Sequence, residues 1–409
     1  MDVSLQQWVT SQIGAREHYA VPRALQRHGA LQHLYTDAWC SWGRPLLRRL
    51  PDPVRSFANR YHPDVPNDQV TSFLGHALWH RLDWYRRSPS TRHDAYYEHH
   101  MRVGQSFARA VARDLSERYS SFENHVFFGY NTASLETLDR LDATACTTIV
   151  DQIDPGRVEK EIVIREAERW PDWVESVPTI HEGFEHRLRA EWETADWVVV
   201  NSAWSKEALV EQCVDPEKIQ VVPLAYEPPS EVGAVGSPSL PLRVLWLGTV
   251  NLRKGIPYLV QAARALEDAP IQFQIVGPIE ITEKAITRAP SNVEFVGRIP
   301  RGEIGAWYKN ADVFVLPTLS DGFAITQLEA MAHGLPVIAT PRCGSVVTDG
   351  QDGMLVPPRD ETALTKAFTR LIEEPGRLAP MSRRALETAK TFTLDRIAEQ
   401  LMGLASEET

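Results

Sequence analysis

The sequence predicts an α/β protein built from two doubly wound, Rossmann-like domains. Short apolar runs alternate with amphipathic segments after residue 242, and the same alternation recurs more faintly before residue 226. Alternating strands and helices are typical of a parallel sheet that helices cover on both faces. A stretch rich in Pro, Gly and Ser, residues 227–241, separates the two parts and predicts an extended linker.

The N-terminal domain, residues 1–226, is predicted from six apolar runs and one long interruption. A helix at 22–28, closed by Gly29, lies between the first two runs. Residues 36–105 break the alternation with an aromatic, Arg- and His-rich stretch, which predicts a helical insertion. The predicted strands are 7–10, 30–35, 125–129, 147–150, 197–202 and 219–223.

The C-terminal domain, residues 242–392, shows a clearer pattern. Short apolar runs predict buried strands, and apolar residues at helical spacing predict the helices between them. Asp360 stands where an N-cap is expected, and a last helix is predicted within 393–409. The predicted strands are 243–248, 271–276, 293–296, 313–316 and 336–339, and the predicted helices are 255–266, 304–308, 325–332 and 360–372.

The composition excludes several classes of protein. With 43% hydrophobic and 24% charged residues, the chain has the make-up of a globular protein and not of a disordered one. A net charge of −11 disfavours a nucleic-acid partner. We expect a cytoplasmic protein without disulfides or a zinc site. The four Cys are scattered, no run of 18 apolar residues occurs, and the first residues do not resemble a signal peptide.

The predicted insertion allows several interpretations. His76 and His80 could share a helix face, but no His-Glu-x-x-His pattern accompanies them, so we expect packed or solvated histidines and no metal. The stretch could form a lid over an acceptor, or a basic, aromatic surface that touches lipid head groups. The simplest interpretation is an ordinary helical insertion.

The strongest chemical signal is the segment from Asp321 to Glu329. A helix is predicted to start near residue 324 or 325, and the free amides and dipole of a helix start suit a phosphate. Gly322 lets a ligand approach the backbone closely. Carboxylates accept hydrogen bonds from sugar hydroxyls, so the two acids suit a diphosphate with hydroxylated groups at both ends. The alternative is an acidic first turn that stabilises the helix dipole.

This segment resembles the signature of the retaining glycosyltransferases of family 4. That signature is an acidic residue, Gly-Phe-Gly-like residues, and then a Glu after seven intervening residues. Here Glu329 stands in the run Leu-Glu-Ala-Met-Ala-His-Gly-Leu-Pro-Val. Several segments resemble the family in the same order, and the likeness covers about residues 195–375. The flanking segments are 195–202, 216–223, 244–248, 253–255, 295–299, 308–313 and 349–356.

The resemblance implies the GT-B architecture, in which two domains face each other across a cleft and the last helix returns to the N-terminal domain. A nucleotide-sugar donor would bind mainly to the C-terminal domain, with Glu329 on the ribose and Asp321 on the donor sugar. Asp321, Lys254 and Arg253 would be catalytic, because the two cations would offset charge on the departing diphosphate. The other implied donor-binding residues are Gly14, Gly322, Phe323, Ala324, Ile325, Arg298 and Ile299.

Two positions on the donor side depart from the family pattern. Asp321 stands where the family usually has Glu, and its side chain is one methylene shorter, so contacts to the sugar could shift or pass through water. Thr249 stands where the family often has an Arg, and Arg253 could supply the missing charge.

On the acceptor side, Asn131, Gln152 and Asp154 follow predicted strand ends, where ligands bind in open α/β sheets. The family often has a His near the position of Gln152, so the acceptor site is less clearly defined than the donor site. The implied acceptor is a glycan, either lipid-linked or a small molecule. A lipid-linked acceptor would place the enzyme against the inner face of a membrane.

The residues and the resemblance together predict a hexosyltransferase-type enzyme that moves a sugar from a nucleotide sugar to an acceptor hydroxyl with retention of configuration. No cofactor or metal is expected, since Arg253 and Lys254 supply cations and no Asp-x-Asp triplet occurs. Two alternatives stay open: a GT-B-like sugar-nucleotide epimerase and a catalytically silent nucleotide-sugar-binding protein. A Rossmann dehydrogenase is disfavoured because no G-x-G-x-x-G follows an early strand.

Overall fold

The computed structural model describes residues 6–50, 54–87, 93–228 and 240–406, which form two parallel sheets. The predicted α/β class with two Rossmann-like domains is confirmed. Most of the predicted linker, 229–239, lies outside the described residues. Within the described part of the chain, no helix combines the length and the apolar content that crossing a bilayer requires.

The N-terminal domain has a seven-stranded sheet in the order β3-β2-β1-β4-β5-β6-β7. Its strands are β1 (Gln7–Gln12), β2 (Leu31–Thr36), β3 (Val70–Ser72), β4 (His125–Tyr130), β5 (Thr147–Gln152), β6 (Trp197–Val200) and β7 (Ile219–Val221). Its helices are α1 (Ala20–Arg27), α2 (Arg44–Leu47), α3 (Leu74–Arg87), α4 (His93–Arg118), α5 (Leu135–Leu141), α6 (Arg157–Arg169), α7 (Glu182–Thr194) and α8 (Ala203–Glu211).

The C-terminal domain has a six-stranded sheet in the order β10-β9-β8-β11-β12-β13. Its strands are β8 (Leu242–Leu247), β9 (Ile271–Val276), β10 (Val293–Gly297), β11 (Val313–Leu316), β12 (Val337–Ala339) and β13 (Gly353–Leu355). The helices after β8 are α9 (Ile256–Ala265), α10 (Glu283–Thr287), α11 (Ile304–Asn310), α12 (Thr326–Ala332), α13 (Glu361–Glu373), α14 (Leu378–Ala389) and α15 (Leu394–Ser406).

Helices cover both faces of each sheet, and this explains why the central strands are apolar throughout. All four residues of β11, Val313 to Leu316, are buried. On the neighbouring β8, Val244, Leu245 and Trp246 are also buried. A parallel sheet covered on both faces loses the polar–apolar alternation of a half-exposed strand. The core on which the candidate site rests is therefore continuous beneath the loops that leave β8 and β11.

The predicted insertion is more than a helical interruption. Val70–Ser72 pairs in parallel with β2 and forms the edge strand β3, which sequence analysis missed. The helix α4 also runs on to Arg118, past the predicted end of the insertion at residue 105. A three-residue strand carries too few residues to show a periodic pattern, so only its pairing with β2 identifies it.

The last helix, α15, packs on the N-terminal domain. Leu394, Ile397 and Leu401 are buried in one cluster with Leu25 of α1 and Trp8 of β1. At the far end of the helix, the Ala405 carbonyl accepts a hydrogen bond from Gln6 Nε2 at 2.6 Å. The helix α15, at the end of the described part of the chain, is therefore part of the N-terminal core.

The helix α6 and the segment that follows it contact the C-terminal domain. Buried Glu166 accepts a hydrogen bond from Tyr258 Oη of α9 at 2.7 Å. Asp172 pairs with Lys284 at 2.6 Å and with Arg288 at 2.9 Å. These contacts hold α6 against the C-terminal domain.

Candidate functional site

The order of strands reverses between β1 and β4 in the first sheet and between β8 and β11 in the second. In open α/β sheets, ligands bind beyond the carboxyl ends of the strands at this reversal. The loops concerned are 13–19 and 131–134 in the N-terminal domain and 248–255 and 317–325 in the C-terminal domain. These four loops contain most of the predicted site residues.

In the C-terminal domain, the structure brings Lys254, Arg253 and Asp321 together. A 3₁₀ turn, Leu252–Lys254, ends at Gly255 with φ 71°, and a Cβ there would overlap the Pro317 carbonyl oxygen. Gly255 therefore allows the two loops to lie side by side. Lys254 Nζ forms an ion pair with Asp321 Oδ2, and Arg253 Nη1 lies 3.4 Å from Asp321 Oδ1.

The three charges partly neutralise one another. Burial disfavours the ionised form of Asp321, but the Lys254 ammonium and the Arg253 guanidinium outweigh burial and lower the pKa of this carboxyl. Asp321 is therefore ionised at neutral pH and holds both cations. In this arrangement the cations face a carboxylate, and a diphosphate would have to compete with Asp321 for them.

A second carboxylate, from the N-terminal domain, contacts the same cluster. Glu159 of α6 lies 3.4 Å from Arg253 Nη1, and its Oε2 accepts a hydrogen bond from Ser320 Oγ at 3.0 Å. Burial raises the pKa of Glu159 to about 7, with the Arg253 guanidinium opposing the shift. Sequence analysis missed this residue, because no local pattern in α6 indicates that it reaches a loop some 160 residues later.

The loop that follows β11 lies directly against the N-terminal domain. A Cβ on Gly322 would overlap the Ile153 carbonyl oxygen, and Trp204 Nε1 donates to Ser320 Oγ at 3.1 Å. Gly322 thus allows the backbone of the N-terminal domain, at Ile153, to approach this loop closely. This contact closes the cleft beside Asp321.

The helix after this loop begins later than the sequence predicted. The helix α12 starts at Thr326, not at 324 or 325, and the Ala324 amide donates to the Cys343 carbonyl at 2.9 Å. The 3₁₀ turn Pro341–Cys343 runs alongside and supplies this carbonyl. The Ala324 amide is therefore already satisfied within the protein, and the part of Ala324 in donor binding stays a prediction.

On the other side of the loop, the domains enclose an open cleft with a volume of about 990 Å³. This volume is at the upper end of the range for small-molecule sites. Three predicted donor-binding residues line the cleft: Glu329, Phe323 and Ile325. Gly14, Arg298 and Ile299 are not among the residues that line it.

The Glu329 carboxylate is held in place on the wall of this cleft. Its Oε2 accepts a hydrogen bond from Tyr308 Oη at 2.8 Å, and the Tyr308 ring stacks on His333 with centroids 4.9 Å apart. Burial and the neighbouring carboxylate raise the pKa of Tyr308, so its hydroxyl stays protonated and donates. Tyr308 and His333 are functional candidates that sequence analysis did not assign, although both lie in segments that resemble the family.

The loop after β1 forms the opposite wall and has an unusual backbone. Glu17, His18 and Tyr19 have positive φ values of 46°, 54° and 63°. Three consecutive non-glycine residues in this region are costly and persist only where the surrounding structure holds them. Across the cleft, Arg301 Nη2 lies 2.6 Å from His18 Nε2. The strained loop therefore reaches the C-terminal domain at the mouth of the cleft.

Gly14 belongs to the same loop but faces the interior of the N-terminal domain. Its φ is 93°, its amide donates to Asp37 Oδ1 at 2.8 Å, and a Cβ would lie 2.6 Å from Arg60 Nη1. Arg60 in turn lies 3.6 Å from Asp37. The conformation explains why glycine is needed here, and the contacts involve the insertion, not the cleft.

A second cavity of about 420 Å³, here called the chamber, lies at the strand reversal of the N-terminal sheet. The loop residues Arg16 and Asn131 form its floor, and the helices α3 and α4 of the insertion provide most of its walls. The lining residues that carry rings are Phe57, His76, His80, Trp84, Tyr96, His99, His100, Phe107 and Tyr130.

The chamber contains one of the three predicted acceptor-side residues. Asn131 lines it, whereas the Gln152 amide donates to Asp154 Oδ1 and accepts from Trp192 Nε1, both at 3.0 Å. Asp154 Oδ1 also accepts from the Gly156 amide at 2.8 Å. Gln152 and Asp154 are therefore placed to hold the loop after β5 in shape, not to line the chamber.

The paired histidines of the insertion are packed, as the sequence predicted. His76 Nε2 and His80 Nε2 are 3.1 Å apart, and both lie within 2.8 Å of Ser106 Oγ. Burial lowers the pKa of His76, with Asp37 opposing, so the ring is neutral at pH 7. Among the described residues, no three His, Cys, Asp or Glu side chains are grouped so that they could hold a metal ion.

Comparison with known proteins agrees with this geometry. Residues 241–374 match the family model described as "Glycosyl transferases group 1". The chain is 28% identical over 271 residues to the MMP alpha-(1->4)-mannosyltransferase of Mycolicibacterium hassiacum, a match that covers 60% of this chain and 62% of the relative. It is 30% identical to the D-inositol 3-phosphate glycosyltransferase of Arthrobacter sp., over 42% of this chain and 44% of the relative. The matched region is thus less than two thirds of each relative's length.

Solved structures show the same two-domain fold over the whole chain. Sucrose-phosphate synthase from Thermosynechococcus elongatus superimposes with a TM-score of 0.66 at 19% identity, and 98% of each chain is covered. Anabaena HepE, solved in complex with UDP and glucose, superimposes with a TM-score of 0.59 at 14% identity, covering 98% of this chain and 100% of that one. At this identity the likeness establishes the GT-B fold.

Proposed function

We propose that this chain is a glycosyltransferase, because residues 241–374 match the family model described as "Glycosyl transferases group 1". It would transfer a hexose from a nucleotide-sugar donor to a hydroxyl group of an acceptor, with retention of anomeric configuration. The observation that carries the proposal is the position of Glu329 on the wall of a cleft of about 990 Å³, beside the loop whose Asp321 holds two cations.

Glu329 would bind the ribose of the donor. Tyr308 uses one acceptor position of this carboxylate, and a carboxylate offers about four, so two ribose hydroxyls can still donate to it. Phe323 and Ile325 would cover an apolar part of the donor on the same wall. This arrangement suits a nucleoside that enters the cleft between α11 and α12.

Lys254 and Arg253 would stabilise the diphosphate as it leaves. Asp321 keeps both cations in position before the donor binds, and the phosphates would then replace this carboxylate as the partner of the cations. The Asp321 carboxylate would then accept hydrogen bonds from hydroxyls of the donor sugar. Because the chain itself supplies two cations, the proposed reaction needs no divalent metal or other cofactor.

The chamber would bind the acceptor. It lies at the strand reversal of the N-terminal sheet, and Trp84 and Tyr96 provide ring faces of the kind that pack on a sugar ring. Arg16 and Arg60 line the same cavity and would attract an anionic group. The names of two similar proteins, the D-inositol 3-phosphate glycosyltransferase and sucrose-phosphate synthase, make a phosphorylated small molecule one candidate acceptor.

The test begins with donor binding. Thermal unfolding should be followed with UDP-, GDP-, ADP- and dTDP-sugars, because a ligand that binds the folded state raises the unfolding temperature by mass action. One nucleotide class should raise the unfolding temperature of the wild type. We expect E329Q to lower affinity for it about tenfold, since one charge-assisted hydrogen bond is weakened.

The matched control is E303Q, because Glu303 is exposed on the 3₁₀ segment Arg301–Glu303 and does not line the cleft. Its affinity should equal that of the wild type. No response to any nucleotide sugar, or an equal loss in both variants, would contradict the donor site. Binding without turnover on any acceptor would select the silent binding protein.

A further inference from the structure

One segment of the N-terminal domain exposes large apolar side chains to solvent. It consists of residues 41–50 together with Val54, and we call it the docking segment. Trp42 is 86% exposed and Leu46 is 66% exposed, while Leu50 and Val54 are 39% and 38% exposed. Single exposed apolar residues are common on proteins, but four within 13 positions form a patch that needs an explanation.

The exposed apolar surface of the described residues is concentrated in this region. Of the 13 large hydrophobic side chains that are exposed, eight lie between residues 42 and 96 and five are spread over the rest of the described chain. The eight are Trp42, Leu46, Leu50, Val54, Leu74, Leu78, Trp79 and Tyr96. This part of the N-terminal domain therefore exposes more large apolar side chains than the rest of the described chain.

The docking segment is held in a defined shape. Gly43, with φ 72°, starts the short helix α2, and the amides of Leu46 and Leu47 both donate to the Gly43 carbonyl. Arg44 anchors the segment from below, since its Nε donates to the Ala58 carbonyl at 3.0 Å and its guanidinium lies 4.9 Å from the centre of the Tyr61 ring. The apolar side chains are therefore presented outward by a fixed backbone.

The charge of this region is opposite to that of the whole protein. Residues 41–60 contain five Arg and one acidic residue, whereas the chain as a whole has a net charge of −11. Arg48 and Arg49 are exposed. A cationic patch with an exposed Trp and exposed Leu side chains is complementary to an anionic lipid surface, where the cations meet phosphates and the apolar groups enter the head-group region.

We propose that the docking segment binds this protein to the surface of an anionic lipid bilayer. Trp42, Leu46 and Leu50 would insert at the level of the head groups, and Arg48 and Arg49 would contact lipid phosphates. A bilayer explains the aliphatic side chains, which a nucleic acid would leave exposed. The proposal does not depend on sugar transfer.

Co-sedimentation with lipid vesicles tests this inference. The full chain should bind vesicles of phosphatidylcholine mixed with phosphatidylglycerol and should bind pure phosphatidylcholine weakly. A basic residue near an anionic membrane contributes about 1 kcal/mol, so R48Q/R49Q should lower binding about 30-fold. W42S/L46S should also weaken binding, and its remaining binding should keep the salt dependence of the wild type.

The matched controls lie on the opposite domain and on a distant helix. R383Q/R384Q removes two exposed Arg of α14, and V210S replaces an exposed Val of α8, so both should bind vesicles like the wild type. Failure of the wild type to bind anionic vesicles would overturn the proposal. So would equal losses in variants and controls, or duplex DNA binding with the same dependence on Arg48 and Arg49. All variants should keep the thermal response to the nucleotide sugar, which separates this test from that of the proposed function.

Discussion

The two strand reversals of this molecule hold sites of different construction. In the C-terminal domain, Lys254, Arg253 and Asp321 come from two short loops that follow β8 and β11, and their charges are paired. In the N-terminal domain, the chamber combines the β1 and β4 loops with two helices of an insertion. The proposed donor site is thus formed mainly by local motifs, while the proposed acceptor site depends on the insertion. We therefore expect substitutions in the insertion to affect the proposed acceptor site without disturbing the proposed donor site.

The largest expected effect tests the donor half. We predict that K254A lowers the rate of sugar transfer by about 100-fold or more, because loss of one preorganised charge at a developing anion typically costs this much. The fold should survive, since Arg253 still lies 3.4 Å from Asp321 and keeps that carboxylate paired. The measurement is release of the nucleoside diphosphate with the donor found in the thermal panel.

The control for this variant is K284A, which removes a half-exposed lysine of the same domain that pairs with Asp172. Its rate should be that of the wild type, and EDTA should leave the wild-type rate unchanged. A K254A rate close to that of the wild type, or a strict need for Mn²⁺, would show that the donor half is wrongly assigned. If K254A does not fold, K254M/D321N removes both charges together, and Arg253 keeps Glu159 as its partner.

A smaller effect tests the acceptor half. Trp84 lines the chamber, where its ring contacts His99 with centroids 4.7 Å apart. We predict that W84A raises the KM for the acceptor about tenfold and leaves donor affinity unchanged, since one aromatic face is lost. The assay screens transfer from a labelled donor to a panel of sugars and sugar phosphates. W79A is the matched control, because Trp79 lies on the same helix, is 60% exposed and does not line the chamber. Equal effects of both substitutions would show that the chamber does not bind the acceptor.

A change in stability, and not in activity, tests the contact between the two halves. Burial raises the folded-state pKa of Glu159 from 4.5 to about 7, so the folded protein holds a proton there that the unfolded chain releases. This group therefore contributes stability at low pH that is lost as the pH rises from about 4.5 to 7. We predict that E159Q gains up to about 3 kcal/mol relative to the wild type over this range.

Denaturant unfolding of E159Q and the wild type at several pH values measures that difference. E161Q serves as the control, since Glu161 lies on the same helix in a more exposed pair with Arg157. A constant difference between E159Q and the wild type from pH 4 to pH 8 would mean that burial does not raise the pKa of Glu159 in the folded protein.

Much of the fold followed from the sequence because both sheets are parallel and buried. Runs such as Val313 to Leu316 predict central strands directly, and Asp360 caps α13 as predicted, accepting from the Ala363 amide at 2.7 Å. The edge strand β3 was missed because its three residues are identified as a strand by their pairing with β2. They are too few to show a sequence pattern of their own. The helix α12 starts later than predicted because the Ala324 amide, just before it, bonds to the Cys343 carbonyl of a neighbouring turn.

The candidate site was predictable where neighbouring residues form it and not where distant ones meet. The motif around Lys254 and the acidic loop at Asp321 are visible in the sequence, and the structure joins them. Glu159 and Tyr308 reach the same region from other elements, so no local spacing predicts their contacts. Gln152 differs from these residues, because its position at a strand end suggested an acceptor contact. In the structure its side-chain amide donates to Asp154 in the loop that follows the strand.

The position of α15 has a consequence for how this protein is made. All seven strands of the first sheet are synthesised well before Leu394, Ile397 and Leu401 are added to the chain. Those three side chains complete the apolar layer over α1. During synthesis that layer stays open to water and to chaperones. The domain that is translated first is therefore completed only after the C-terminal domain has been synthesised, when α15 packs on α1.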